Sequence, residues 1–404
     1  MRRCWRVGCL ALCVVGLLLT SCGGLADLAP KEPVTIRFAY GGGSEDDWLP
    51  LVEQFRQNNK HITIELVGTG GFGPQGMSDY DVMLGPSFML NFMQQEDFAM
   101  DLNAMAMEDE TVSLNDFYPP ALAALSADNK RLGLPMAVDL LVMYYNKDFF
   151  DRKGVAYPQA DWTWDQFLDT AVRLSDPGRG EFGYAYSGIG GMGFQEPMLW
   201  IYQAGGQIFD DLQNPTQLTL NTPVNVQAMQ WYADLIHKHH VAPQPGERTS
   251  PFPQTGIEAG QYAMWMGWLS DSYDLNVGVV PLPRGELSVT QGQVIGVFIS
   301  AATDYPEACW EWAKFLSGMV VPGLMPARQS LANADTTIAS VGADVIAAGR
   351  ASLPNMIVMG FGMEGQLGQT WGAASAALTG AFARIQGGDP VQEVLNEAQA
   401  KSGF

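Results

Sequence analysis

From residue 34 onward the apolar positions of the chain switch between two periods. VTIRFAY, Val34–Tyr40, places an apolar side chain at every second position, the period of a half-buried strand. In WLPLVEQFRQNN, Leu49, Val52 and Phe55 recur at helical spacing, with Pro50 tolerable in a first turn. Ile62–Gly68 and Tyr80–Gly85 read as a second and a third strand. Strands alternating with helices predict an α/β fold with a parallel sheet wound with helices. The loops GGGSEDDW and LGPSF then fall at strand C-terminal ends, where open α/β sheets bind ligands. LVGTGGFG contains G-x-G-x-x-G at Gly68, Gly70 and Gly73, but no helical pattern of useful length follows, so a dinucleotide site gains no support.

One stretch breaks the pattern. Gly133–Lys147, GLPMAVDLLVMYYNK, is almost wholly apolar with a single acid, Asp139, in its middle. A carboxylate among side chains that leave water costs several kcal/mol unless it is paired or open to solvent. Two readings follow: Asp139 is paired with a donor, as in capping a backbone turn, or it faces an opening to solvent.

Composition narrows the class. Hydrophobic residues make up 47% of 404, enough for substantial cores in two or three domains, which sets disorder aside. Acids outnumber bases 43 to 22, a formal charge of −21. The phosphate attraction that dominates nucleic-acid binding therefore has no source, and polyanions are not expected partners.

Residues 1–21 read as a secretory signal. Arg2, Arg3 and Arg6 precede the apolar run VGCLALCVVGLLL, which is short for a membrane span, and small residues lead to Cys22. Leu19, Thr20, Ser21 and Cys22 resemble the bacterial lipobox, whose cysteine becomes lipid-modified and forms the mature N-terminus; an ordinary soluble export signal is the alternative. Cleavage there removes three bases and no acid, leaving 19 bases against 43 acids, a formal −24. No other stretch is apolar for long enough to cross a bilayer. The expected product is an extracytoplasmic, soluble body tethered through Cys22 and the linker at 22–33. Cys4, Cys9 and Cys13 leave with the signal, so Cys309 has no disulfide partner. Within the amphipathic EACWEWAKFL it reads as a small buried hydrophobe.

GLPMAVDLLVMYYNKDFFDRKGVAYPQADWTWDQFLDTAVRL, Gly133–Leu174, closely resembles a segment of the family 1 extracellular solute-binding proteins, the sugar-binding components of ABC importers, among them the maltose-binding proteins. In that family GLP leads into a crossing strand, then a YNK turn, here Tyr145, Asn146 and Lys147, then TW opening a helix, here Thr163 and Trp164. Thr163 followed by Gln166 also has the form of a capping box. Further signatures follow in the family's order: LWIYQAGGQIFDD, GQYAMWMGWLSD, VGVVPLPRG as the return crossover, ISAATDYPEACWEWAKFLS, MPARQSL and GGDPVQEVLNEAQAK.

The resemblance implies a two-lobe, type II periplasmic-binding-protein-like fold, each lobe a mainly parallel sheet wound with helices, joined by crossing hinge segments. It places lobe one at 34–142 plus 278–343 and lobe two at 143–277 plus 344–404. A solute lies between the lobes and hinge closure sequesters it. The implied solute is a mono- or oligosaccharide, with a polyamine or another small molecule as the alternative. The implied partners are the permease subunits of an ABC importer with a separate ATPase, the carrier itself being a monomer without cofactor.

Sugar recognition needs flat aromatic faces for C–H surfaces and planar carboxylates or amides for paired hydroxyls. Carried over onto this chain, the ligand-binding candidates are Ser44, Glu45 and Trp48 after the first strand and Ser87 and Phe88 after the third. Asp139 follows on the crossing strand, with Glu196, Trp200 and the weaker Phe194 in GFQEPMLW. Trp268 and Asp271 in GWLSD and Phe361 in NMIVMGFGMEGQ complete the set. For Trp268 the competing reading is a core tryptophan. After the third strand, GPSFML lacks the acid and base of maltose-type members, which leaves the particular sugar open.

An enzyme is the competing class. Glu45 with Asp47, or Asp139 with Glu196, are conceivable acid–base pairs of a glycosidase. No G-x-S-x-G, H-E-x-x-H or C-x-x-C occurs, and His237, His239 and His240 sit at the end of a helical run, where cationic rings suit the helix dipole better than a metal. No catalytic residue and no metal site is assigned.

Overall fold

Local rules place most of the elements. The computed structural model of the protein describes residues 32–70, 79–95, 98–186, 194–211, 216–247, 253–358 and 365–401, the side chains of 95 and 365–373 excepted. The strands are β1 Val34–Tyr40, β2 Ile62–Gly68, β3 Val82–Pro86, β4 Ser126–Ala127, β5 Lys130–Arg131, β6 Leu134–Asn146, β7 Phe182–Ala185, β8 Tyr262–Trp268, β9 Val277–Val280, β10 Thr290–Ile299, β11 Met325–Pro326 and β12 Met356–Ile357. The capping box forms as expected: Thr163 Oγ1 accepts from the Gln166 N–H at 3.3 Å and Gln166 Oε1 accepts from the Thr163 N–H at 2.8 Å, opening the helix Trp164–Leu174.

The first helix differs from its sequence reading. It spans Glu45–Asn58, starting before Trp48, because the Asp47 carboxylate accepts the Ser44 N–H at 2.7 Å and the Ser44 hydroxyl at 2.9 Å and three acids occupy the first turn. Pro50 thus lies beyond the first turn, and Leu49 is 47% exposed; of the expected apolar stripe, Phe55 alone is buried. The double glycine after the helix Gln195–Gln203 has a steric reason. Gly205 takes φ +82°, and a Cβ on Gly206 would sit 2.0 Å from Asn225 Oδ1.

Parallel pairing is found where a wound sheet needs it, β1 with β2 and β3, and β7 with β8. The strands that join the two halves are antiparallel. β6 pairs with β10 through Leu134–Leu140, then with β8 through Leu141–Tyr145 and β9 through Met143–Asn146, and β10 pairs with β3. The path across the sheet runs β2-β1-β3-β10-β6-β8-β7. VGVVPLPRG was the expected return crossover, but its strand, β9, lies beside the far end of β6. The strand that returns is β10, which the sequence reading did not assign.

All 13 residues of β6 are buried, and its two faces serve different cores. Val138, Leu140, Val142 and Tyr144 join a cluster with Phe38, Phe55 and Trp312. Leu141, Met143 and Tyr145 join another with Phe167, Trp200, Tyr232, Leu378 and Leu395. A strand covered on both faces loses the alternation of a half-buried one, which explains the continuous apolar run around Asp139.

Candidate ligand-binding site

Residues opposite one another in a ladder point to the same side of the sheet. Asp139 stands opposite Gln293, Leu141 opposite Trp268 and Met143 opposite Met266, so these side chains share one face of the crossing strands. On that face Gln293 and Ile295 of β10 and Met266 and Trp268 of β8 are half-buried, whereas their neighbours along both strands are buried. The face is thus opened only over the middle of the crossing. From the first half, Ser87 follows β3 and its hydroxyl accepts the Val294 N–H at 3.0 Å, one residue from Gln293. Ser87 and Phe88 line a cavity of about 110 Å³ with Asn91, Ser126 and Val358, the last directly after β12, which pairs with β10 at Thr290 and Gln291.

Asp139 is 3% exposed and both its oxygens are engaged. Oδ1 accepts the Ser270 N–H at 3.2 Å, and Oδ2 accepts the Ser270 hydroxyl at 2.7 Å and the Gln293 amide at 3.5 Å. These contacts tie the crossing strand to the turn after β8. Burial raises its carboxyl above the usual range, opposed by the Ser270 and Gln293 hydrogen bonds and reinforced by the nearby Asp271 charge. A raised folded-state value means that ionising Asp139 opposes folding. The cost is absent below the unfolded carboxylate pKa, grows as pH rises to the folded value and is constant above it. The unfolding free energy of the wild type should therefore gain on that of Asp139→Asn as pH falls from neutral to about 3.5, in urea titrations at each pH. A gap that widens in favour of the asparagine variant on acidification would contradict the assignment.

The turn carrying Trp268 is held by its backbone. The Tyr144 hydroxyl donates to the Trp268 carbonyl at 2.8 Å, and Asp271 Oδ2 accepts the Trp268 N–H at 2.9 Å and the Tyr273 hydroxyl at 3.1 Å. Burial and the Asp271 charge push both phenols up, so they stay protonated donors. The indole itself remains half open.

Of the other expected residues, Glu196 and Trp200 lie in the second core, and Ser44, Glu45 and Trp48 lie just after β1. Glu196 is 3% exposed and Trp200 fully buried; Glu196 Oε1 accepts the Tyr184 hydroxyl at 2.6 Å inside the second core. Glu45 is exposed on a first turn, Ser44 is engaged by Asp47, and the Trp48 ring packs on Phe38 and Tyr40 with centroids at 5.1 and 5.4 Å. Cys22 and Phe361 lie outside the described residues. Gln293, Ser270 and Tyr144 are functional candidates that only the structure brings out, since the polar, glycine-bearing TQGQ carries no strand period of its own. Burial pushes the Cys309 thiol up to about 12, with Thr303 opposing and Asp81 reinforcing, in keeping with an inert core cysteine. His237 Nε2 lies 3.3 Å from the Ile385 carbonyl oxygen, and among the described residues no group of three metal-ligating side chains converges.

A larger cavity of about 1150 Å³, lined by Val34, Ile62, Asp109, Trp310 and Lys314, lies at the N-terminal ends of β1 and β2, away from the crossing strands. Its half-buried Lys314 is internally satisfied, meeting Asp109 at 2.7 Å and Glu311 at 2.9 Å. The candidate site is therefore the half-open face over the crossing strands, at the ends of β1–β3 where loops converge.

Residues 41–319, well over half of the chain, match the family model described as bacterial extracellular solute-binding protein. The chain belongs to that family. The arabinooligosaccharide-binding protein of Halalkalibacterium halodurans is 25% identical over 193 residues, 48% of this chain and 40% of that protein, so the chain spans about two fifths of the length of such curated relatives. An ABC substrate-binding protein of Listeria monocytogenes in complex with cycloalternan superposes with a TM-score of 0.70 at 20% identity, covering 92% of this chain and 98% of the other. UgpB of Mycobacterium tuberculosis in complex with glycerophosphocholine gives 0.70 at 16% identity, again over 92% and 98%. The two-lobe α/β architecture implied by the crossing-strand signature is the one found. Among the described residues no helix is long and apolar enough to cross a membrane, and the family is a solute-binding one.

Proposed function

We propose that this solute-binding protein is the carrier of an ABC importer, taking an uncharged, hydroxyl-rich solute, a saccharide or polyol, onto the open face of β6, β8 and β10. The carrying observation is the half-open row of Gln293, Trp268 and Met266 beside the loop at Ser87 and Phe88. It combines an indole face, amide groups and apolar surface, the three things a sugar ring needs. The segments that follow β1, β2, β3, β7, β8 and β12 in the chain (41–44, 69–78, 87–91, 187–193, 269–275 and 358–364) contain no Lys, Arg or His. A phosphate-bearing solute would find no counter-charge there. A polyamine would need open carboxylate oxygens, whereas those of Asp139 are both engaged.

Contacts from both lobes favour the closed form by their differential affinity, and that form delivers to a permease whose ATPase is a separate chain. The lobe divisions at 142/143 and 343/344, with the return to lobe one carried by β10 instead of falling at 277/278, the anchor on Cys22 and the monomeric state belong to the same proposal. Catalysis does not: Asp139 caps a turn and Glu196 serves the second core, so the two do not act as an acid–base pair.

A thermal-shift screen over mono- and oligosaccharides, polyols, polyamines and sn-glycerol 3-phosphate tests the reading. Stabilisation by saccharides or polyols, stoichiometric and without product, is expected. Stabilisation by the phosphorylated or cationic solutes alone, or turnover of an oligosaccharide, overturns it.

A further inference from the structure

We infer that Gln293 is the residue of the crossing strands that reads ligand hydroxyls, and that Asp139 is its positioning residue. The inference deepens the carrier reading and rests on it for the class of solute. Gln293 is half-buried on the open face, directly opposite Asp139 in the ladder. An ionised carboxylate is acceptor-only, so it takes the NH2 end of the amide, and the 3.5 Å contact runs from Gln293 Nε2 to Asp139 Oδ2. The carbonyl end is thereby turned away from Asp139, and among the described residues it has no protein donor.

A second acceptor on the same strand face also lacks a protein donor, and it is buried. Gln291, two residues along β10, is 3% exposed and its Oε1 is buried without a hydrogen-bond partner. An acceptor buried without a donor is costly, and this one, two residues from the half-buried Gln293 amide, marks a strand face short of donors. Hydroxyl groups supply donors; phosphate and carboxylate do not. The chemistry therefore selects a polyol or saccharide over an anion.

The same carboxylate reaches the other recognition element. Its Oδ1 and Oδ2 hold Ser270, two residues beyond Trp268. One buried acid therefore sets the direction of an amide on β10 and the position of the indole-bearing turn after β8. This makes Asp139 an aligning group between two ligand-facing side chains, with its own oxygens already taken.

Two experiments on the full mature protein decide the matter. Without any ligand, the Gln293 side-chain NH2 resonances, assigned by their loss in Gln293→Ala, are followed by 15N NMR against pH. They are expected to move as Asp139 ionises and to stop titrating in Asp139→Asn; resonances indifferent to pH and to that substitution overturn the pairing. Calorimetric titrations then use maltotetraose, an arabino-oligosaccharide mixture and mannitol. For each probe that the wild type binds, Gln293→Ala should weaken affinity at least tenfold. Asp139→Asn, which keeps an acceptor for the Ser270 N–H, should weaken it by a smaller factor than Asp139→Ala. Unchanged affinity in Gln293→Ala overturns the inference while leaving the carrier reading intact. Failure of the wild type to bind any probe counts against the carrier reading, and the NMR titration still decides the Asp139–Gln293 pair.

Discussion

Truncating Trp200 to alanine is expected to lower the unfolding free energy by about 3–5 kcal/mol while leaving the solute affinity of the folded protein nearly unchanged. The indole is fully buried, with the rings of Trp231, Trp164, Phe167 and Tyr184 at centroid distances of 5.0, 5.4, 5.7 and 6.3 Å. Its removal opens a cavity in the second core and takes the Nε1 donor, at 3.5 Å, away from the buried Glu196 carboxylate. Urea titration reads the first effect and calorimetry at a temperature where the variant is folded reads the second. A variant that unfolds like the wild type but no longer binds would return Trp200 to the ligand site.

The opposite split is expected at Trp268. Its backbone N–H and carbonyl, not its ring, hold the turn, through Asp271 and Tyr144. Trp268→Ala should therefore fold with a melting temperature close to that of the wild type. If the half-open indole is the stacking face for a sugar, affinity falls about 30-fold, or about 2 kcal/mol. The check is calorimetry with whichever saccharide stabilises the wild type most, paired with a thermal melt. Equal affinity in the variant would remove the indole from the site.

Both tryptophans sit in aromatic, apolar runs, LWIYQ and WMGWL, and local composition does not separate them. What separates them is the element each occupies. Trp200 is on a helix with all nine residues buried, whereas Trp268 ends a strand at the point where the sheet's cover stops. Where a signal is local it was legible. The Thr163–Gln166 capping box, the first three strands and the double glycine at Gly205 and Gly206 each depend on residues within a few positions. β10 was missed because its first half, TQGQ, is polar and glycine-bearing, and it becomes a strand only when β3 and β6 flank it. The helix start was misplaced because the Ser44–Asp47 contacts outweighed the apolar spacing that begins at Leu49.

The amino-acid sequence by itself determined the class of molecule. The crossing-strand signature at Gly133–Leu174 resembles that of the extracellular solute-binding proteins, and that resemblance implied the two-lobe α/β fold. The wound α/β class and the exclusion of polyanionic partners follow from hydrophobic period, turn chemistry and charge, which are written along the chain. Only the tertiary structure decided what Asp139 does. Its partners Ser270 and Gln293 lie 131 and 154 residues away and meet it because β6 crosses between β8 and β10. A carboxylate's role depends on which donors reach it in space, and the pairing of distant strands, which no local pattern encodes, sets that.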